Sequence, residues 1–533
     1  MQEQILRILK LPPSLWVVAL PFLAACTKVV LNRALLLWKH LPRGPSFLSR
    51  WWSEWKNNEM LPTKLMRWGN IYGGVMSIMD LVHFGKPTIV LCNPKAAMDL
   101  LEKRGNLYSS RPRNIIASEI CYGGFKGTLY QSGIKLKRFR TLMNATMNAD
   151  ASRKYRPLED AESKLLLRDL LEASPNNYKL HVQRVVHSVA MYTAYGLRMD
   201  RLDQDHAEFF GNVEKYFRGN VLPGRYLVDH FPILLYLPRP LQWFRKVAEE
   251  QGKVERFFFL HCLSQTRMVV DKGQSAGVSA ARALEKQETY GYSDAEIAIN
   301  SSAPYTAGVM TTYASFEIFV LAMLLYPQVM KQAQKDIDSV VGRERLPGFE
   351  DIDSLPYIRA LIKEIGRWHP PAPLGLPHAA DEDDVYEGMF IPAGSTVLAN
   401  IYAITRNTEL FPDPEEFRPE RFVDNDDPFF KNYNATFGFG RRICPGQHIA
   451  TDELFALITR ILWAFDIVSQ EDEFDPLKHR VPSNPRFGMV PSLPYKLVPR
   501  EDTVRSIIVE EALLAEREVQ AWESFSFKKL TVA

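Results

Sequence analysis

This 533-residue sequence is poor in cysteine, in charge of one sign and in low-complexity connectors. Its cysteines, Cys26, Cys92, Cys121, Cys262 and Cys444, are odd in number, widely spaced and without metal-finger spacing. That excludes a disulfide scaffold and favours reduced thiols on the cytosolic side. The formal net charge is only +3, so the concentrated basic face of a nucleic-acid binder is not expected. No repeat and no low-complexity linker interrupts the middle of the chain, which argues for one large domain. A dinucleotide fingerprint is also missing, because the Gly438-Phe439-Gly440 turn lacks the third glycine and the strand-to-helix context. What is present is ordinary for a large folded core, with 46% hydrophobic and 24% charged residues.

Against this background the segment from Phe437 to Gly446 stands out. Cys444 precedes an apolar, helix-prone stretch, Ile449 to Trp463, and is followed by Pro445. Proline is tolerated in a first helical turn, so Cys444 is predicted at a helix start, where free amide hydrogens and the positive dipole end stabilise a sulfur anion. Arg442 adds a nearby cation, and Gly440 and Gly446 let backbone approach a bulky neighbour. A buried structural thiol is the ordinary reading of an isolated cysteine. Here Phe437, Gly440, Arg442, Cys444 and Gly446 together complete Phe-x-x-Gly-x-Arg-x-Cys-x-Gly, which resembles the haem-binding motif of the cytochrome P-450 superfamily. The resemblance implies a mainly α fold with a small β-sheet region, haem b as cofactor, and the Cys444 thiolate as axial ligand to the iron.

Distant positions carry the same resemblance. Ser354 to Trp368 reads as a short amphipathic helix with Glu364 and Arg367 on one face, closed by Pro370-Pro371. A surface ion pair is the plain reading of that spacing. With Arg421, from Phe417-Arg418-Pro419-Glu420-Arg421-Phe422, the two residues resemble the family's buried Glu-Arg-Arg triad. Ser293 to Tyr326 reads as one long helix, opened by a Ser293-x-x-Glu296 capping box and bent at Pro304. Within it, Gly308 leaves room for a flat cofactor, and the Thr311 hydroxyl is expected to bond the carbonyl of Ala307 and open a local groove. Ala307 to Thr312 is similar to the family's oxygen-binding groove, which implies catalytic roles for Gly308, Thr311 and Thr312. Met310 stands where the family has an acid, and a thioether cannot relay protons.

Weaker matches extend the picture. Ser132 to Arg140 resembles the family's propionate-binding helix with Leu136 in place of tryptophan; Arg140 keeps the charge, and Lys137 is a second candidate cation or a solvated one. His378 falls at a further propionate-contacting position. Ala372 to Leu376, with Val309, Met310 and Thr311, implies an apolar pocket. The run Val221 to Trp243 reads as a membrane-facing access region or as an internal loop.

Residues 1–41 read as a membrane anchor and its flank, a single spanning helix or one lying flat in the interface: an apolar window near Leu11 to Leu31 has Lys28, Arg33, Lys39 and Arg43 crowding its C-terminal flank. The positive-inside rule then places a catalytic domain, residues 42–500, on the cytosolic side of the endoplasmic reticulum membrane, after a proline-rich hinge at Leu41 to Pro45. Residues 501–533 form an extension, predicted as a surface-packed helix from Ile507, Ile508, Leu513, Leu514 and Val519. The resemblance, which extends to fungal secondary-metabolism members, implies a monooxygenase acting on an apolar or aromatic small molecule. Its electrons would come from NADPH through a separate flavoprotein reductase, with a cytochrome b-type donor as a further partner. Arg441 and Lys135 to Arg138 are candidate docking residues. The competing readings are a haem enzyme that couples, desaturates or rearranges without inserting oxygen, and a haem-binding sensor without turnover.

Overall fold

A computed structural model of the chain describes residues 40–46, 59–79, 86–202, 204–220, 226–273, 277–423, 425–471 and 493–525. The expected anchor, Leu11 to Leu31, lies outside the described residues. The chain forms α1 (Leu61–Tyr72), β1 (Val75–Ile78), β2 (Thr88–Leu91), α2 (Ile134–Met147), α3 (Arg156–Glu172), α4 (Tyr178–Tyr195), α5 (Gln204–Asn220) and α6 (Lys246–Asp271). There follow α7 (Asp294–Ser301), α8 (Ala303–Leu325), α9 (Pro327–Val341), α10 (Pro356–Trp368), β3 (His378–Ala379), β4 (Asp384–Tyr386), β5 (Met389–Ile391) and β6 (Thr396–Ala399). The described chain closes with α11 (Gln447–Ala464), β7 (Phe465–Ser469), β8 (Tyr495–Pro499) and α12 (Asp502–Val519). The expectation of a mainly helical fold with small sheets is met.

Proline opens α1, α3, α8, α9 and α10, where its missing N–H would have had no partner anyway. That rule corrects one expectation. Pro304 does not merely bend a continuous helix; it begins a new one after a turn at Ser302, so the predicted helix is split into α7 and α8. The N-terminal cap is as expected, with the Ser293 hydroxyl accepting from the Glu296 amide at 3.2 Å. The α7–α8 pair is long and apolar enough to cross a membrane, yet most of it is buried inside the fold, as befits a core helix. From Tyr313 to Met323 every side chain of α8 is buried, in a cluster shared with Met191 of α4 and Ile458 and Ile461 of α11.

The principal sheet has the order β1-β2-β6-β3, with β2 and β6 parallel and the outer pairs antiparallel. The proline-rich hinge lies along β1: the Ser77 hydroxyl donates to the Pro42 carbonyl at 2.6 Å and the Ser77 amide to the Arg43 carbonyl at 3.1 Å. Gly44 is required there, since a Cβ would fall 1.7 Å from the Ser77 carbonyl oxygen. In the C-terminal extension, α12 packs Ala512 and Ala515 against Ala161 and Leu165 of α3, and Lys164 pairs with Glu511 at 2.9 Å. A surface-packed helix is what the pattern predicted, but the buried face is Val504, Ile508, Ala512 and Ala515, while Leu513 and Leu514 are exposed. Beyond it the chain is tied to the loop after α4, the Arg198 amide donating to the Glu523 carbonyl at 2.8 Å and the Phe525 amide to the Arg198 carbonyl at 2.6 Å.

Candidate active site

The loop before α11 is built around Cys444. Its amide donates to the Phe437 carbonyl at 2.8 Å, which closes the ten-residue segment on itself. Gly440 has φ +54°, and a Cβ there would meet the Leu101 carbonyl oxygen at 2.2 Å, so this glycine is fixed by the chain's own packing. Gly446 is different. A Cβ on it would find only the Cys444 and Met147 sulfurs, both at 3.9 Å, and one on Gly308 would find only the Ala190 Cβ at 3.9 Å. Protein packing alone does not exclude a side chain at either position, which fits a bulky group that is not part of the polypeptide.

Cys444 precedes the helix instead of starting it: α11 begins at Gln447 with Gly446 as its cap. Burial pushes the thiol up, and the Gly446 amide and the charge of Arg140 pull it back down. The expected cation, Arg442, is turned elsewhere, its Nε donating to the Ser109 carbonyl at 2.5 Å and its terminal nitrogen to the Tyr130 carbonyl.

Arg442 belongs to a cationic cluster in which Arg111 and His378 are buried and Arg140 and Arg442 half-buried. Arg140, from α2, donates to the Ile443 carbonyl at 2.8 Å and so pins the residue before the cysteine. Arg111 donates to the carbonyls of Leu376 and Pro377 at 2.8 and 2.7 Å. His378 Nδ1 lies 2.8 Å from the Tyr108 carbonyl, which assigns the ring proton to that nitrogen. Burial and the mutual repulsion of these groups lower Arg111 well below the usual guanidinium range, bring Arg442 to about 10 and His378 to about 3. Among the described residues no carboxylate lies within ion-pair distance of Arg111, Arg140 or Arg442. Buried cations without counter-charge are costly, so the cluster is matched to an anionic group such as a pair of carboxylates. Arg140, Arg442 and His378 are brought together. Lys137 is not, because its side chain is exposed to solvent. Arg111 was missed: in the polar run Ser109 to Arg113 nothing local marks it, and only its burial reveals it.

On α8 the Thr311 hydroxyl donates to the Ala307 carbonyl at 2.9 Å, the expected local bond. Ala307 is exposed, and Thr306, Gly308, Met310 and Thr311 are partly so, in a fold where the rest of the helix is packed. This stripe faces open space. Thr312 does not share it, being only 3% exposed on the packed side one hundred degrees further round, so of the two threonines Thr311 alone borders the groove. Val309 is buried too, and Leu374 packs into a cluster with Leu65, Trp68, Met76 and Val90, away from the pocket assigned to it.

Glu364 and Arg367, both 0% exposed, meet in a two-point pair at 2.6 and 2.8 Å, with Arg421 Nε 3.5 Å from the same carboxylate. Arg367 also donates to the carbonyls of Thr405, Pro414 and Glu416 at 3.2, 2.7 and 3.0 Å, and Glu364 accepts from the Arg418 amide at 2.8 Å. Of the run Val221 to Trp243, residues 221–225 lie outside the described residues; in the remainder Ile233, Tyr236 and Leu241 are exposed, as on a surface ridge and not in an internal loop.

The family profile described as cytochrome P-450 matches residues 42–497. A cytochrome P-450 monooxygenase of Armillaria gallica is 33% identical over 518 residues, covering 93% of this chain and 96% of its own length. Monooxygenase 58 of Postia placenta is 36% identical over 413 residues (76% of this chain, 77% of its own), and drtD of Aspergillus calidoustus is 37% identical over 381 (71% and 70%). The chain belongs to the cytochrome P-450 family and is an oxidoreductase; the family implies a haem-thiolate iron cofactor.

Proposed function

We propose that this chain is a membrane-anchored haem-thiolate monooxygenase that oxidises an apolar or aromatic small molecule, in secondary metabolite biosynthesis, with electrons from NADPH delivered by a separate flavoprotein reductase. The observation that carries this reading is the half-buried thiol of Cys444 lying in a loop pinned by Arg140, beside a cationic cluster with no carboxylate within ion-pair distance among the described residues. Bound haem would supply the chemistry of reductive dioxygen activation. The protein's part is positional. Cys444 would hold the iron through its thiolate, with the Gly446 amide and Arg140 tempering the sulfur charge. Arg111, Arg140, Arg442 and His378 would hold the cofactor's carboxylates, and the absence of a Cβ at Gly308 and Gly446 would leave it room. Thr311 borders the reaction space with a hydroxyl that now rests on Ala307 and can turn to donate a hydrogen bond to substrate oxygen. Exposed Lys135, Lys137 and Arg441 supply a cationic face for an acidic reductase.

Met310 favours a second reading, oxidation without oxygen insertion, because the helix offers no acid at that position. Turnover with isotopically labelled dioxygen separates the two. Label in the organic product supports insertion; an unlabelled coupled or desaturated product supports the alternative. Cys444→Ala should abolish the thiolate-type carbon-monoxide difference spectrum in folded protein, and a normal spectrum from that variant would overturn the assignment.

A further inference from the structure

Buried cations in this protein are generally neutralised: Arg367 by Glu364, Arg184 and Arg198 by Glu162, Arg460 by Asp160. Outside the cofactor-type cluster, Lys126 breaks the pattern. It is 1% exposed, and its ammonium donates to the Thr306 and Ser302 hydroxyls at 2.7 and 3.3 Å. Among the described residues no carboxylate lies within ion-pair distance of it. Glu255 acts on it through space, but its carboxylate accepts from Gln251 at 2.8 Å. Burial therefore prevails and brings the ammonium to about 8.

The place of this cation in the fold is informative. Both hydroxyl partners belong to the start of α8 and the turn before it, and Thr306 immediately precedes exposed Ala307, at the mouth of the groove bordered by Thr311. On the other side Leu129, in the turn that Lys126 opens, packs with Ala117, Phe217 and Leu376, and the Leu376 carbonyl is a partner of Arg111. The ammonium thus stands between the cofactor-type cluster and the oxygen-side groove. An ammonium has three donors and two are used. Two rings cover it, Tyr122 with its centroid 5.0 Å from Nζ and Phe217, from the side of α5, with its centroid at 5.8 Å.

Resting on the haem-thiolate reading above, we propose that Lys126 determines specificity by anchoring a carboxylate carried by an otherwise apolar substrate, so that the apolar body lies across the α8 groove. The carboxylate takes the third donor, replacing the Phe217 ring against the ammonium, and supplies the counter-charge that the polypeptide does not. The pocket is then apolar with one cationic end, in place of the uniformly apolar pocket expected from sequence.

The test uses the full-length, haem-loaded protein and two probes of matched body, 4-phenylbutanoate and its methyl ester, with binding read by calorimetry. Wild type should bind the acid at least about tenfold more tightly than the ester, the scale of one charge-assisted hydrogen bond. Lys126→Met should erase that preference while leaving ester affinity nearly unchanged, and Lys126→Arg should retain it. Equal binding of acid and ester by wild type, or an acid preference that survives in Lys126→Met, overturns the proposal. Should Lys126→Met fail to fold, Lys126→Gln is read by the same criterion. A carbon-monoxide spectrum recorded on each sample reports separately on the haem-thiolate reading, because calorimetry scores the acid preference whatever that spectrum shows.

Discussion

Removing the carboxylate of Glu364 is the sharpest test of how the site is held. One oxygen accepts from Arg367 Nε at 2.6 Å; the other accepts from an Arg367 terminal nitrogen and from the Arg418 amide, both at 2.8 Å. Glu364→Gln keeps the shape and one acceptor but strands a guanidinium that is fully buried, so about 3–5 kcal/mol should be lost. At roughly 2.1 cal/mol/K of unfolding entropy per residue, the whole chain gains about 1.1 kcal/mol/K, and the midpoint should fall by about 3–5 °C. The double variant Glu364→Leu with Arg367→Met removes both charges. It should recover part of the loss, because the penalty of an unpaired buried charge is gone even though the carbonyls of Thr405, Pro414 and Glu416 lose their donor. Thermal unfolding followed by tryptophan fluorescence, with the carbon-monoxide spectrum as a count of correctly assembled sites, measures both effects. A single substitution costing under about 1 kcal/mol, or a double variant as damaged as the sum of its parts, would refute the claim that the charges are mutually required.

Gly440→Ala should destabilise by at least about 1–2 kcal/mol from its left-handed backbone alone, plus the clash with Leu101, whereas Gly446→Ala should leave stability of the cofactor-free protein nearly unchanged and weaken haem retention; comparing unfolding midpoints with haem content checks both. Deleting residues 501–533 uncovers α3 and loses buried Val504 and Ile508, worth about 3–6 kcal/mol together, and an unaltered melting midpoint would show the extension to be dispensable. His187 is buried with Nδ1 2.7 Å from the Tyr305 hydroxyl, and burial lowers it from 6.5 to about 3. The unfolded chain therefore takes up the proton first, and stability drains away as pH falls from 6.5 towards 3, by up to about 1.4 kcal/mol per pH unit. His187→Phe should flatten that slope in urea titrations between pH 6.5 and 4, and an unchanged slope would assign acid lability to other groups.

Much of this architecture was legible because its signals are local. A proline after an apolar run marks where α9 begins; Glu364 and Arg367 share a face because they are three residues apart; Thr311 reaches Ala307 because a hydroxyl four residues on can do little else in a helix interior. Local reasoning failed where the deciding neighbour is distant in sequence. Arg442, expected beside the sulfur, is claimed by the carbonyls of Ser109 and Tyr130, and it is Arg140 that pins the residue before the cysteine through the Ile443 carbonyl. Arg111 and Lys126 carried no pattern at all.

The two omissions share a cause that bears on how the site works. A cation earns notice in a sequence by its company, such as an acid at helical spacing or a run of like charges, and these two have neither. Their company comes from elements far along the chain: backbone carbonyls after α10 for Arg111, hydroxyls at the α7–α8 break for Lys126. Carbonyls and hydroxyls fix the direction of a cation without neutralising it. Positive charge therefore stays available to whatever enters, where an aspartate or glutamate would have cancelled it and closed the space. In the triad the opposite choice was made: the charge of Arg367 is matched internally by Glu364, and no space is left. Buried arginine and lysine thus divide by the kind of partner the fold gives them, carboxylates where the role is to lock the scaffold and neutral acceptors where an anion from outside the chain is to be held.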